Sequence, residues 1–430
     1  MRTRISVFCD QVIEAGWLLA LVIVPLFFNV YSNRVFEPDK LALLRSIAVL
    51  MAAAWLIRWI EERVAGGDKG GDAQPAPAER FWKIPLVGPT LILAVVYLLA
   101  TATSVVPRTS LWGSYQRLQG TYTTLSYMVV FMLMVQNLRR QEQLRRVVST
   151  VIITSLPISF YGLLQHYGLD SLPWAGDVVS RVASNMGNAI FVAAYLIMVV
   201  PLTLARILHL QAKALEGASL RWRVGFAAFF WVLLLLQIWA WSSIGFIRGL
   251  IAGLLAVAML VLAGLYLKRP TGRFVLLGCY SLALAAQVVC IFFSESRGPW
   301  LGLIAGLFFF SLLYALCRRW RAMVIVSLIL PVLVLGTLVV MNLPRSPLAR
   351  LRSLPYVGRL GSALEIESGT NRVRVLIWEG VVEMLKSNPL RAVIGYGPEA
   401  MYVAYNPFYP PELAHIEARN ASPDRSHNET

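Results

Sequence analysis

The chain has 430 residues, 57% of them hydrophobic and only 14% charged, with a net charge of +16. A soluble domain carries about 25% charged residues, so this composition excludes a water-soluble globular body. A basic surface on a soluble protein would suggest nucleic acid, but in an apolar chain lysines and arginines first of all set membrane orientation.

Eleven apolar segments follow one another: Gly16–Val30, Leu41–Ile60, Ile84–Thr103, Thr121–Leu138, Val147–Gln165, Ala189–Leu208, Val224–Trp241, Gly249–Leu267, Phe274–Phe293, Leu301–Leu316 and Ala322–Met341. Most approach the roughly 20 residues that cross a bilayer as a helix. None alternates with the two-residue period of a barrel strand, and in lipid each helix satisfies its own backbone. The fold class is therefore an all-α polytopic membrane protein with about eleven transmembrane helices. The first segment runs into Tyr31-Ser32-Asn33-Arg34 rather than a small-residue cleavage site, so it reads as a retained span.

Placing the N-terminus in the cytoplasm puts 21 of the 39 Lys and Arg inside and 8 in the short outside segments; the other 10 lie beyond Met341. That asymmetry divides the chain into a bundle, residues 1–341, and a large outer segment, residues 342–430. The inside loops are plain. Residues 61–83 hold the Gly/Pro/Ala linker "GGDKGGDAQPAPA", and "LRRQEQLRR" is a basic turn. Cys9, Cys279, Cys290 and Cys317 show neither CxxC nor metal spacing, so neither a disulfide framework nor a metal site is expected.

The outside arginines oppose the orientation rule, so another role is expected to keep them. Arg181 lies in "SRVASNMGNAIFVAAYL", Arg248 in "SSIGFIRGLIAGLL", Arg297 in "SESRGPWLG" and Arg117 in "SYQRLQGTY". A guanidinium stays charged and offers a planar fork suited to phosphate oxygens. Each could instead snorkel to lipid phosphate. The Ser-x-Ser-Arg-Gly setting of Arg297 favours a bound diphosphate, with Glu295 orienting it.

In the outer segment, "TNRVRVLIWEGVVEMLKSNPL" has the pattern of an amphipathic helix with Val375, Trp378, Val382 and Leu385 as its apolar stripe. Arg374 shares a face with Trp378 and Arg372 precedes it. The chain ends in "ASPDRSHNET", where Asp424 and His427 could act as an acid–base pair.

Together "SESRGPWLGL", "RVRVLIWEGVVEMLKSNPLRAVIGYGPEAM" and "DRSHNE" resemble the O-antigen ligase and polymerase superfamily; "FEPDKLALLRS" and "NMGNAIFVAAYL" are similar to stretches of its bacterial members. The resemblance implies an inner-membrane glycosyltransferase that uses an undecaprenyl-diphosphate-linked glycan and acts on the periplasmic face, without metal or other cofactor. The acceptor would be a lipid, a glycan or a protein. By motif, it implies that Arg297, Arg374 and, less directly, Arg372 hold the diphosphate and that His427 is essential, with Asp424 beside it. Arg181 and Arg248 join as further diphosphate candidates. Members continue into at least one more span, which implies a twelfth beyond residue 430. Two other classes stay open: a transporter of a glycolipid or a small anion such as bicarbonate, and a scaffold.

Overall fold

A computed structural model describes residues 3–29, 31–32, 36–66, 84, 86–172, 174, 176–343, 346, 348, 369–416, 423 and 425. Among the described residues every regular element is helical and there is no strand. In chain order these are α1 (Arg4–Leu26), α2 (Glu37–Gly66), α3 (Val87–Ala102), α4 (Pro107–Trp112), α5 (Thr121–Asn137), α6 (Gln141–His166), α7 (Ala189–Ala214), α8 (Leu220–Ser243), α9 (Phe246–Tyr266), α10 (Thr271–Phe293), α11 (Arg297–Arg318) and α12 (Arg321–Asn342). Four shorter helices of the C-terminal segment follow: α13 (Gly369–Ser387), α14 (Pro389–Ile394), α15 (Met401–Ala404) and α16 (Leu413–Ile416).

Among the described residues each of the eleven apolar segments contains a helix. Among the described residues nine are long and apolar enough to cross a bilayer: α1, α2 and α6 to α12. The other two, α3 and α5, have 16 and 17 residues. The protein is thus a multi-pass helical membrane protein. Several helices overrun their apolar runs. The first begins at Arg4 rather than Gly16, because the Thr3 hydroxyl caps it by accepting the Ser6 N–H at 3.1 Å.

The chain divides into two compact units, one of Met1–Val147 with Glu365–Thr430 and one of Val148–Leu364. In the first, α1 packs along α2 through Ile13, Trp17, Leu44 and Met51, and α5 covers both. One end is tied by charge. Arg58 pairs with Asp10, and Glu14 accepts from Gln143 Nε2 at 2.9 Å and Arg146 Nε at 2.8 Å. These are the starts of α1 and α6 and the end of α2, as alternating spans require.

In the second unit α10 is the central helix, packed by α7, α8 and α9 and buried over most of its length. Its polar side chains reach neighbouring helices. Gln287 Nε2 donates to Ser155 Oγ at 2.8 Å, and Ser281 Oγ donates to Gln237 Oε1 at 3.2 Å. In lipid such bonds, with close packing, hold helices together where water cannot drive association.

The C-terminal segment contains its amphipathic helix, α13, but buries a different face. Leu376, Ile377 and Met384 are buried, the first two against Leu413, Val373, Met401 and Tyr409. Trp378, Val382 and Leu385 of the expected stripe are exposed. The helix stops at Ser387, and the Asn388 side chain caps α14 by accepting the Arg391 N–H at 3.1 Å. The 67–83 part of the linker, most of the basic stretch after Leu343, Asp424 and His427 lie outside the described residues.

Candidate functional site

At the far end of the first unit the centre of organisation is Arg45 on α2, only 9% exposed. Its Nε donates to Thr123 Oγ1 at 2.8 Å, and its Nη2 to the carbonyls of Trp112 at 2.7 Å and Leu118 at 2.8 Å. The guanidinium lies 4.7 Å over the Tyr122 ring. One side chain thus fixes the loop between α4 and α5, the loop that carries Arg117.

The C-terminal segment docks on the same loop and on the start of α4. Ser110 Oγ donates to the Pro398 carbonyl at 2.7 Å, and the Val105 N–H to the Tyr396 carbonyl at 3.1 Å. The Glu399 carboxylate accepts the N–H of Ser114 and, at 3.2 Å, that of Gln119. The Gly-Tyr-Gly-Pro turn lets the backbone come this close. Gly397 sits at φ +106°, and a Cβ there would lie 2.7 Å from Ser110 Oγ while overlapping Ser104 Oγ. Gly397→Ala is expected to destabilise this end by about 2–4 kcal/mol, through strain and lost docking together. Hydrogen exchange at Ser114 and Gln119 would rise in the variant. Unchanged protection there would refute the docking account.

Gln119 joins three of the stretches read from sequence. Its Nε2 donates to Glu37 Oε2 at 3.0 Å, and its Oε1 accepts from Arg425 Nη2. Glu37 also stands 3.7 Å from Arg117 Nη1. "FEPDKLALLRS", "SYQRLQGTY" and "DRSHNE" therefore meet at one amide side chain, two residues before His427. The sequence reading had assigned Arg45, Gln119 and Glu399 no role. Their partners are backbone groups and side chains far away in the chain, which leave no local pattern.

Arg372 and Arg374 both stand on α13 but differ. Arg372 forms a two-pronged pair with Glu412, at 2.8 to 3.0 Å. Those bonds hold the Glu412 carboxyl below its usual range and raise Arg372. Arg374 is exposed. Its guanidinium is the more available of the two for a ligand.

In the second unit Arg181, Arg248 and Arg297 share one end. The loop before α7 is built on Gln165, whose Oε1 accepts the Ser184 N–H at 2.6 Å, while Ser184 Oγ donates to the Ile158 carbonyl at 2.7 Å. Asp170 accepts from Tyr161 Oη at 2.8 Å, Trp174 Nε1 at 2.6 Å and the Leu172 N–H at 3.1 Å. Burial pushes its carboxyl up, but these hydrogen bonds outweigh that and hold it below the usual range. Asp177 makes the turn that presents Arg181, accepting the N–H groups of Val179 and Ser180 at 3.1 and 3.0 Å.

Next along the loop, the Val182 N–H donates to the Phe293 carbonyl at 3.1 Å. This ties the Arg181 loop to the turn that opens α11. That turn holds itself. Ser294 Oγ donates to the Ile291 carbonyl at 2.6 Å, Ser296 Oγ to the Ser294 carbonyl at 3.1 Å, and Trp300 Nε1 to the Ile291 carbonyl at 2.9 Å. The Ser-x-Ser pattern thus fixes the backbone, with Glu295 at φ +47°, and leaves half-buried Arg297 at the first helical position. Arg248 belongs to the same end: the Tyr167 hydroxyl donates to the Trp241 carbonyl, and the Trp241 indole fills the space beside Gly249. Among the described residues no three His, Cys, Asp or Glu side chains gather as metal ligands.

The end so built has three guanidinium groups at the starts of α9 and α11 and on the loop before α7, where unpaired helical N–H groups also favour an anion. Residues 281–429 match the family described as O-antigen ligase. This stretch is similar to that family. The match covers about a third of the chain and is consistent with the O-antigen ligase and polymerase superfamily, a family of glycosyltransferase-like enzymes. The matched stretch contains Arg297, Arg372, Arg374, Asp424 and His427; Arg181 and Arg248 precede it. Searches of curated proteins and of solved structures gave no match.

Proposed function

We propose that the protein transfers a glycan from undecaprenyl diphosphate to an acceptor hydroxyl at the outer face of the cytoplasmic membrane. The acceptor oxygen attacks the anomeric carbon from the face opposite the diphosphate. The carbon–oxygen bond to the diphosphate breaks, its electron pair leaves with the diphosphate, and the anomeric configuration inverts. His427 orients the acceptor or takes its proton, supported by Asp424. Arg297 and Arg374 stabilise the charge gathering on the leaving group, with Arg181 and Arg248 as further contacts and Arg372 the least available. No step calls for a metal.

The observation that carries this reading is the gathering of Arg181, Arg248 and Arg297 at one end of the second unit. The turns that carry Arg181 and Arg297 are held by main-chain hydrogen bonds that do not use the guanidinium groups. A transporter would place its ionisable groups along a path within the bundle. The test uses the purified full chain with an undecaprenyl-diphosphate glycan and, in separate arms, a lipid A–core acceptor and a second lipid-linked repeat. Release of undecaprenyl diphosphate in step with glycan transfer, insensitive to chelator, is expected, and the productive acceptor identifies ligase or polymerase. Turnover with neither acceptor would sink the proposal.

A further inference from the structure

The opposite end of the second unit holds a cleft of about 940 Å³ that none of the chemistry above uses. It lies among the last turns of α7, the first turns of α8, and the facing sides of α11 and α12. Its walls are apolar, with Leu208, Trp231, Phe308 and Leu330 among them. The volume is at the upper end of the roughly 300–1,000 Å³ range of small-molecule sites.

Three polar features mark it as more than a gap between helices. Arg223 and Arg318 both line it, one from each wall, and Arg318 stands 5.6 Å over the Tyr314 ring. Gln211 also lines it, is only 9% exposed, and its Nε2 is buried with no hydrogen-bond partner. A buried amide N–H left unpaired is unfavourable, so a ligand acceptor there would be a stabilising complement. The charge around the cleft is also one-sided. Beside the cleft, Lys213 in the last turn of α7, Arg319 after α11 and Arg321 at the start of α12 stand against one acid, Glu216. Ser311 and Ser327 add no demand, since Ser327 Oγ donates to Ser311 Oγ at 3.1 Å and Ser311 Oγ to the Phe308 carbonyl at 2.9 Å.

We propose that this cleft binds an anionic glycerophospholipid of the adjacent leaflet. Its acyl chains lie against the apolar walls, its phosphate meets Arg223 and Arg318, and an ester carbonyl accepts the Gln211 amide. Basic side chains beside an apolar slot are the complement of such a lipid. The site stands apart from the glycan-transfer reading and does not depend on it.

The test takes the full chain, delipidated in detergent, and follows its thermal midpoint and native mass spectrum during titration. The probes are phosphatidylglycerol, phosphatidylethanolamine and inorganic phosphate. Phosphatidylglycerol is expected to raise the midpoint and to appear as one bound lipid. The Arg223→Ala/Arg318→Ala variant should weaken its apparent affinity about tenfold or more. Ala227→Trp, which fills the slot, should abolish the effect, and Gln211→Leu, a milder change, should weaken it if Ala227→Trp does not fold. Equal response to the zwitterionic lipid, full response to inorganic phosphate alone, or a cleft occupied by a second copy of the chain in a dimer that Ala227→Trp dissolves would each overturn the proposal.

Discussion

Arg297→Ala is expected to slow glycan transfer by about 10²–10³-fold while leaving the protein folded. The two halves of that expectation come from different features. The rate follows from charge. A diphosphate leaving group gains negative charge as its bond to the sugar breaks, and a guanidinium fixed nearby in a water-poor region stabilises that charge without reorganising. The retained fold follows from the turn. The backbone around Arg297 is held by Ser294, Ser296 and Trp300 through bonds to main-chain carbonyls, none of which involves the arginine side chain. Arg297→Lys should fall between, since a point charge remains but the fork is lost. Arg372→Ala makes the contrast, because that guanidinium is engaged with Glu412 and its removal should leave the rate within a few-fold of the parent. The measurement is the single-turnover transfer rate beside the thermal midpoint. A parent-like rate for Arg297→Ala would take this residue out of the site.

The second large effect is on stability. Arg45→Met is expected to cost about 3 kcal/mol, read from thermal unfolding, and to raise hydrogen exchange across 113–120. Bonds from a charged donor contribute about 1.5–3 kcal/mol each, and here three acceptors lose theirs while the methionine recovers part of the packing. Arg45→Lys should rescue little, because a single ammonium cannot reach a hydroxyl and two carbonyls set out for a fork. A Met variant as stable as the parent, with the loop equally protected, would show that Arg45 does not organise this end.

Much of the fold was legible because hydrophobic length dominates in a bilayer: every apolar run read from the sequence contains a helix. Boundaries moved where a polar stretch still forms helix. The "QEQLRR" start of α6 is an example, since Gln143 and Arg146 find Glu14 on α1. The stripe on α13 was misread for another reason. "VRVLIWEGVVEML" offers two apolar faces at helical spacing, and only contacts with Leu413, Met401 and Tyr409 select the one containing Leu376 and Ile377. Of the candidate site, the arginines that broke the charge rule were visible one by one, and Arg181, Arg248 and Arg297 do share an end. What holds them was not visible. Gln165, Asp170 and Ser184 act through main-chain groups that no motif announces. The same is true of Glu399, whose carboxylate serves two N–H groups some 280 positions earlier.

That last contact has a consequence for biogenesis. The first unit is discontinuous: its opening spans leave the ribosome long before the glycine turn that completes them, whereas the second is one unbroken run. During synthesis Ser110 and the amides of Ser114 and Gln119 must wait, without their eventual acceptors, while more than 200 residues are inserted. The early spans therefore stay an unfinished nascent intermediate until the Gly395–Glu399 turn has been made, and quality-control proteases have their longest opportunity there.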